Sequence, residues 1–241
     1  MPRYVMLLQS MLERTPDWHP DHAPLRRSLA LVEDIINNTN GAIERYENLQ
    51  KIYQISRRLG GLDLLSNENR MYIRDGNLKK VCRKEVKERW FVLFSDLLIY
   101  ASFDPARLAM KSEQLRLDRT SIAIANSRPH AFSIRSEQKS FVVFAADEQE
   151  KIEWMKGIEE QIARIGGGVN AAVDHAPVWI PDKESTCCTR CNAEFTLLYR
   201  RHHCRKCGEL VCGKCSSYKM VVKNIDPVKP VRVCDGCLLS N

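Results

Sequence analysis

The order of apolar and polar positions divides the chain into a helical part, a strand-rich part and a cysteine-rich part. Apolar residues recur at helical spacing over residues 5–12 and again over residues 24–59. Gly60 and Gly61 form a typical end for the second helix. We expect that helix to bury one face, because its apolar positions lie on one side: Leu25, Leu29, Val32, Ile36, Ile43, Tyr46, Ile52 and Ile55.

The pattern changes over residues 74–165, where short segments rich in β-branched and aromatic residues alternate with polar turns. This pattern predicts an antiparallel meander. A helix is predicted over residues 147–165, with Trp154 on its apolar stripe. Asp147 is suited to cap its start, with Glu150 three residues later, and the glycines at 166–168 end it.

The third part is defined by cysteine pairs. Nine of the ten cysteines lie between Cys187 and Cys237, and eight form four C-x-x-C pairs: Cys188/Cys191, Cys204/Cys207, Cys212/Cys215 and Cys234/Cys237. Two thiolates at this spacing can hold one metal ion from a tight turn, and zinc takes four such ligands. Disulfides are disfavoured because the chain shows no export signal. We therefore predict two zinc ions, but spacing alone leaves open which pairs share an ion.

A dense basic segment, "RRHHCRKCG" at residues 200–208, surrounds the second pair. The planar guanidinium group of arginine can donate two parallel hydrogen bonds to a phosphate, and histidine adds further hydrogen-bond donors. Residues 176–241 hold six lysines and five arginines against six acidic residues, a net charge of +5. Two Zn²⁺ with eight thiolates bring this close to +1, so an attraction for phosphate must come from arginines focused on one groove.

Three segments of this part resemble the signatures of FYVE zinc fingers: "WIPD" at 179–182, the basic segment at 200–208 and "RVC" at 232–234. The resemblance implies a module that binds phosphatidylinositol 3-phosphate, with the first and third cysteine pairs on one zinc and the second and fourth on the other. It implies that Asp182 accepts hydrogen bonds from inositol hydroxyls. It also implies a phosphate pocket lined by Arg200, Arg201, His202, His203, Arg205 and Arg232.

The resemblance further implies that Leu197 and Leu198 lie in an exposed loop that inserts into the bilayer. The alternative is that the two leucines belong to the hydrophobic core. Inserting one leucine would contribute roughly 1.5–3 kcal/mol. Weak headgroup and insertion contacts are typically combined for stable membrane attachment.

The strand-rich part resembles a pleckstrin-homology (PH) domain, through its meander followed by a helix with a tryptophan. Lys79, Lys80, Lys87 and Arg89 resemble the basic pattern of phosphoinositide-binding members. The resemblance implies a second phosphoinositide site there; the alternative is a solvated strand face.

The N-terminal helices, beginning with "PRYVMLLQSMLERTP", resemble the end of a Dbl-homology domain, the exchange module for Rho-family GTPases. Dbl, PH and FYVE domains follow in this order in the faciogenital-dysplasia exchange factors. The phafin family, with PH and FYVE domains only, is similar as well. The sequence leaves open whether the chain is a fragment of an exchange factor or a natural short form.

Together these patterns predict a multidomain α+β chain. The expected parts are incomplete Dbl-homology helices (1–60), a PH β-barrel with a C-terminal helix (70–166), a flexible linker (167–177) and a two-zinc FYVE finger (178–241). We expect a non-enzymatic, cytoplasmic protein recruited to early endosomal membranes by phosphatidylinositol 3-phosphate. The alternative function is that of the C-terminal part of a Rho-family exchange factor that regulates the actin cytoskeleton.

Two other functions fit the sequence less well. A RING-type ubiquitin ligase would place a histidine among the zinc ligands, whereas eight cysteines already satisfy two ions. A nucleic-acid-binding zinc module would interleave aromatic residues with the basic run as stacking platforms, and this basic run has none. We therefore expect no nucleic-acid partner.

Overall fold

The computed structural model describes residues 2–105, 109–125, 128–166 and 175–240. The chain forms two compact units. The first contains residues 1–57 and 62–66, and the second contains residues 58–61 and 67–241.

The first unit is built from helices α1 (Pro2–Glu13) and α2 (His22–Arg58). The expected face of α2 is buried only near its C-terminal end and is half-buried at four other predicted positions: Leu25, Leu29, Val32 and Ile36. Ile52 and Ile55 are buried, but Ile43 is 49% exposed and Tyr46 is 64% exposed. An apolar stripe is buried only where another element packs on it, and within the described part of this unit the one other helix is the short α1.

The strand-rich part of the second unit contains seven strands: β1 (Tyr72–Val81), β2 (Val86–Phe94), β3 (Leu97–Asp104), β4 (Ala109–Arg116), β5 (Thr120–Ile124), β6 (Ala131–Ser136) and β7 (Ser140–Phe144). They form one antiparallel sheet in the order β4-β3-β2-β1-β7-β6-β5. The sheet confirms the predicted meander. The turn between β1 and β2, residues 82–85, lies beside the candidate site described below.

Helix α3 (Glu148–Arg164) packs on this sheet through Trp154, which is fully buried. The indole meets the ring of Phe91 edge-on at a centroid distance of 6.2 Å. The side chain of Asp147 accepts a hydrogen bond from the Glu150 backbone N–H at 2.8 Å, which confirms the predicted cap. Gly166 follows the helix with a φ of +69°. The other two predicted stop glycines lie outside the described residues.

The cysteine-rich part has little regular structure. It contains two short hairpins, β8 (His202–His203) with β9 (Leu210–Val211) and β10 (Lys219–Val222) with β11 (Asp226–Arg232), followed by helix α4 (Asp235–Leu239). Its buried centre consists mainly of cysteines together with Val211 and Val233. Such a small apolar core requires bound metal for stability.

The strand-rich and cysteine-rich parts contact each other within the second unit. Of the predicted linker, residues 167–174 lie outside the described part. Ala176 is not a free linker residue: it is 5% exposed, and its N–H donates to the Ser136 carbonyl at 2.9 Å. Val178 forms a β-bridge with Ser140. The chain therefore lies along the sheet before it enters the cysteine-rich module.

Candidate functional site

The eight paired cysteines form two tetrads. One contains Cys188, Cys191, Cys212 and Cys215, and the other contains Cys204, Cys207, Cys234 and Cys237. Within each tetrad the sulfur atoms all lie within 4.8 Å of one another. The first and third pairs therefore share one site and the second and fourth share the other, as the FYVE resemblance implies. Cys187 belongs to neither group.

The chemistry around the tetrads fits zinc. The backbone N–H of Cys212 donates to Sγ of Cys188, and that of Cys234 donates to Sγ of Cys204, both at 3.3 Å. Nη2 of Arg190 donates to Sγ of Cys234 at 3.4 Å. A zinc ion with four thiolates carries a net charge of −2, and these donors stabilise that charge. The two tetrads can therefore hold two zinc ions.

A cavity of about 110 Å³ lies beside the second tetrad. We call it the basic groove. Its lining includes six of the seven residues predicted for the headgroup site and one residue that was not predicted: Arg83, Asp182, Arg201, His202, His203, Arg205 and Arg232. Asp182 is the single carboxylate among the described residues that line it. Arg200, which was predicted to line the pocket, is exposed and is not among these residues.

Arg205 is held in place on three sides. Its guanidinium lies 4.3 Å from the centroid of the Trp179 ring, and its Nη1 donates to the His203 carbonyl at 3.0 Å. Its backbone N–H donates to the Arg232 carbonyl at 2.9 Å. Burial first, and then the charges of Arg83 and Arg232, lower the pKa of Arg205 from its usual value. A partly buried cation among other cations favours a bound anion.

His203 links the basic segment to residues 179–182. It is 4% exposed, and its Nε2 donates to the Ile180 carbonyl at 2.8 Å. Burial is the largest effect on His203 and lowers its pKa, although the bond to Ile180 and the Asp182 carboxylate act in the opposite direction. Burial and the neighbouring arginines also lower the pKa of His202, which is less enclosed. Near neutral pH both rings are therefore mainly uncharged, and the single N–H of His203 is used by the Ile180 carbonyl.

Arg232 reaches the groove from the end of strand β11. Its Nη1 donates to the Ser216 carbonyl at 2.6 Å and to Oγ of Ser216 at 3.2 Å. These bonds fix the guanidinium before any ligand arrives. A preorganised cation loses less conformational entropy when it binds a phosphate.

Leu197 and Leu198 protrude from the loop that precedes β8. They are 93% and 92% exposed. Tyr199, Arg200 and Arg201 follow directly and are also exposed. The loop thus presents two apolar side chains next to cations, an arrangement suited to an anionic lipid surface.

The structure separates the four predicted PH-domain residues. Lys80 lies opposite Lys87 in the β1–β2 register, and Arg89 lies opposite Leu78, so these three cations share the face of the core residue Leu78. Lys79, one residue earlier, faces the other side. Burial lowers the pKa of Lys80, whose Nζ lies 4.2 Å from the centroid of the Phe141 ring.

Sequence reasoning missed Arg83, in the β1–β2 turn. Its Nε lies 3.3 Å from Oδ2 of Asp182, and its carbonyl accepts a hydrogen bond from the Asp182 N–H at 2.8 Å. A second, mostly apolar cavity of about 490 Å³ continues between the two domains and reaches Lys80 and Arg205. No sequence motif signals Arg83, because its position depends on how the two domains dock.

Comparison with known proteins gives two family matches. Residues 178–240 match the FYVE zinc finger, and residues 71–163 match the PH domain. Pleckstrin homology domain-containing family F member 2 of Gallus gallus is 38% identical over 180 residues, which cover 72% of this chain and 72% of that protein. The chain belongs to the PH–FYVE family. These domains indicate phosphoinositide binding and peripheral association with membranes, and within the described residues no helix is long and apolar enough to cross a bilayer.

Two other PH–FYVE relatives differ in length. Uncharacterized protein ZK632.12 of Caenorhabditis elegans is 40% identical over 183 residues, covering 73% of this chain and 68% of that protein. FYVE, RhoGEF and PH domain-containing protein 6 of Homo sapiens is 31% identical over 263 residues, covering 98% of this chain. The chain spans only 18% of the length of that exchange-factor relative.

The helical unit and the sheet are similar in fold to solved structures of DH/PH proteins. The truncated linker-DH/PH domains of p115-RhoGEF superimpose with a TM-score of 0.57 at 20% identity, covering 68% of this chain and 53% of that one. Autoinhibited Vav1 gives a TM-score of 0.56 at 20% identity, covering 88% of this chain and 41% of that one. The predicted fold class, with Dbl-like helices, a PH sheet and a FYVE finger, is confirmed.

Proposed function

We propose that the chain recruits its protein to early endosomal membranes by binding phosphatidylinositol 3-phosphate in the basic groove. The observation that carries the proposal is the convergence of four arginines on one small cavity with a single carboxylate: Arg83, Arg201, Arg205 and Arg232 around Asp182. Such an excess of fixed positive charge is unfavourable without a bound anion. The choice of the 3-phosphate isomer is supported by the three FYVE signature segments.

The groove supplies two kinds of recognition. The arginines offer charge-assisted hydrogen bonds to phosphate oxygens, and uncharged His202 adds a weaker donor. The single N–H of uncharged His203 is already bonded to the Ile180 carbonyl. Asp182 can only accept, so it is suited to inositol hydroxyls and repels a phosphate placed next to it. This arrangement favours a headgroup with a phosphate at one position and free hydroxyls beside it.

Membrane attachment also involves the Leu197–Leu198 loop. Both leucines are more than nine-tenths exposed, so inserting them into lipid gains apolar burial at no cost to the module's own core. The headgroup orients the module, and the leucines slow its release.

The experiment is a vesicle flotation assay on the intact chain. Phosphatidylcholine vesicles would carry equal fractions of phosphatidylinositol, its 3-, 4- or 5-phosphate, or its 4,5-bisphosphate. We expect clear enrichment on the 3-phosphate vesicles only, and loss of binding when zinc is chelated. Arg205→Glu should abolish this enrichment. Lys223→Glu, the same charge change at an exposed residue between β10 and β11, should leave it nearly unchanged. Equal binding to all monophosphates would contradict the proposal.

The face shared by Lys80, Lys87 and Arg89 supports a weaker second phosphoinositide contact. Two sites on one chain raise avidity through effective concentration. Arg89→Ala should therefore reduce binding to vesicles that contain both the 3-phosphate and a bisphosphate, and leave binding to 3-phosphate vesicles unchanged. An equal reduction on both kinds of vesicle would argue against a separate PH-domain site.

A second candidate function concerns the helical unit. We propose that α1 and α2 correspond to the last helices of a Dbl-homology domain and contribute to a Rho-family GTPase surface when the earlier helices are present. The fold similarity to DH/PH proteins and the coverage of the exchange-factor relative support this proposal. The chain alone should not accelerate release of a fluorescent nucleotide from a Rho-family GTPase, because it holds only two of the helices. Acceleration would overturn this assignment.

A further inference from the structure

We infer that Arg83 of the PH domain is a headgroup-binding residue of the FYVE groove, so that the lipid site is built from both domains. This inference rests on the function proposed above. Arg83 lies in the β1–β2 turn, more than 90 residues before the first FYVE motif, and it lines the same cavity as Arg205 and Arg232.

Two independent contacts hold the β1–β2 turn against the finger. The backbone N–H of Asp182 donates to the Arg83 carbonyl at 2.8 Å, and the two side chains form an ion pair with Nε 3.3 Å from Oδ2. The backbone bond does not depend on the side chain of Arg83. A substitution at Arg83 can therefore remove the guanidinium and leave the turn docked.

Charge in the groove favours an anion near Arg83. Without Arg83, three arginines face the carboxylate of Asp182; with it, the excess of positive charge rises by one. The like charges of these guanidinium groups repel one another. Among the described residues that line the groove only Asp182 offsets this repulsion, and a phosphate carrying nearly two negative charges would offset it further.

The opposite role, in which Arg83 blocks the groove by occupying Asp182, is less consistent with the geometry. The Arg83 side chain is 51% exposed, and an ion pair of such exposure contributes little to stability. The guanidinium can therefore turn toward a phosphate at small cost. Its other N–H groups remain available for a ligand when Nε stays on Asp182.

The test compares Arg83→Ala with Lys84→Ala in the intact chain. Lys84 carries the same charge one residue along the turn and is not among the described residues lining the groove. Affinity for soluble dibutanoyl phosphatidylinositol 3-phosphate would be measured by calorimetry, which removes the contribution of the bilayer. Zinc content and thermal midpoint would be measured for each variant, to establish that both still fold.

We expect Arg83→Ala to weaken binding about tenfold, as for the loss of one charge-assisted contact, and Lys84→Ala to change it less than about twofold. Arg83→Lys keeps the positive charge and should retain part of the affinity lost in Arg83→Ala. A purely structural role of Arg83 would predict no such recovery. Equal affinities for Arg83→Ala and Lys84→Ala would overturn the inference and leave the proposed function standing. Tighter binding by Arg83→Ala would overturn it in favour of a blocking role. No binding by the unmodified chain would overturn the proposed function itself.

Discussion

The imidazole of His203 lies flat against the indole of Trp179, with ring centroids 4.7 Å apart and an angle of 15° between the planes. The guanidinium of Arg205 lies 4.3 Å from the centroid of the same indole. One aromatic ring thus joins two segments more than 20 residues apart in sequence and positions two groups of the basic groove. The function proposed for the groove depends on this arrangement.

Removing the Trp179 ring should loosen the groove and leave the zinc sites intact. Trp179→Ala removes a cation–π contact of about 1 kcal/mol with Arg205 and the stacking on His203. We expect headgroup affinity to fall roughly fivefold or more, measured by calorimetry with soluble lipid. Trp18→Ala, at a tryptophan that is 82% exposed in the helical unit, is the control and should have no effect. Unchanged affinity for Trp179→Ala would contradict the positioning role.

Gly208 fixes the segment that carries Trp179. It has a φ of +82°, and a Cβ there would collide with the Val178 carbonyl oxygen. Its own carbonyl accepts the N–H of Ile180 at 3.2 Å. Gly208→Ala should therefore lower the thermal midpoint and weaken lipid binding, because it displaces residues 178–180 and strains the backbone.

The matched control for Gly208→Ala is Gly213→Ala. Gly213 has negative φ, and a Cβ there would meet the His202 ring at an ordinary 3.8 Å. This variant should retain both stability and lipid binding. Equal tolerance of alanine at both glycines would contradict the close approach between Gly208 and Val178.

The exposed leucines should affect membrane attachment without affecting headgroup recognition. The double change Leu197→Ala and Leu198→Ala removes the apolar surface proposed to insert into the bilayer, and we expect about a tenfold loss of vesicle affinity. Affinity for soluble headgroup should stay the same. Leu239→Ala, at another exposed leucine of the same module, serves as the control. Equal losses on vesicles and on soluble lipid would show that the two leucines act on the groove instead.

A partly buried ion pair joins Arg70 and Asp96 in the PH domain. Nε and Nη2 of Arg70 each donate to a carboxylate oxygen of Asp96 at 2.8 Å, and Arg70 is 6% exposed. Asp96→Asn removes the negative charge that this buried guanidinium pairs with, so we expect a loss of about 3 kcal/mol in unfolding free energy. Asp118→Asn breaks the more exposed pair with Arg116 and should cost less than about 1 kcal/mol.

The same pair predicts a pH dependence. Partial burial raises the pKa of Asp96, but hydrogen bonds from Arg70 and Asn67 outweigh it, so the folded pKa lies below the ordinary value. The unfolded chain then binds the proton more readily. The stabilisation is present above the unfolded pKa of about 3.9 and is lost as pH falls through the folded pKa. Denaturant titrations of wild type and Asp96→Asn should converge at low pH; a gap independent of pH would contradict this explanation.

The zinc sites and most of the groove could be predicted from sequence because their signals are local. Paired cysteines and the basic segment place ligands and arginines within a few residues of one another. Spacing did not decide which cysteine pairs share an ion, and the tetrads with Cys188 beside Cys212 answered that question. Arg200 and Arg201 look equivalent in sequence, but only Arg201 lines the groove.

Two features depended on tertiary contacts and could not be predicted. The apolar stripe of α2 indicated a buried face, yet Ile43 and Tyr46 are exposed because burial requires a partner element. Arg83 carries no motif, and it reaches Asp182 only because residues 175–182 dock along the PH sheet. Local patterns identify ligands, whereas docking between domains determines which additional residues join them.

The most direct test of the central claim is an NMR titration of the intact, zinc-loaded chain with soluble phosphatidylinositol 3-phosphate and, separately, with the 4-phosphate. The predicted result is that the 3-phosphate shifts the backbone amides of Asp182, Arg205 and Arg232 at low ligand concentration. The 4-phosphate should leave them unchanged at the same concentration. Shifts confined to Lys80, Lys87 and Arg89, or equal shifts with both lipids, would contradict the account.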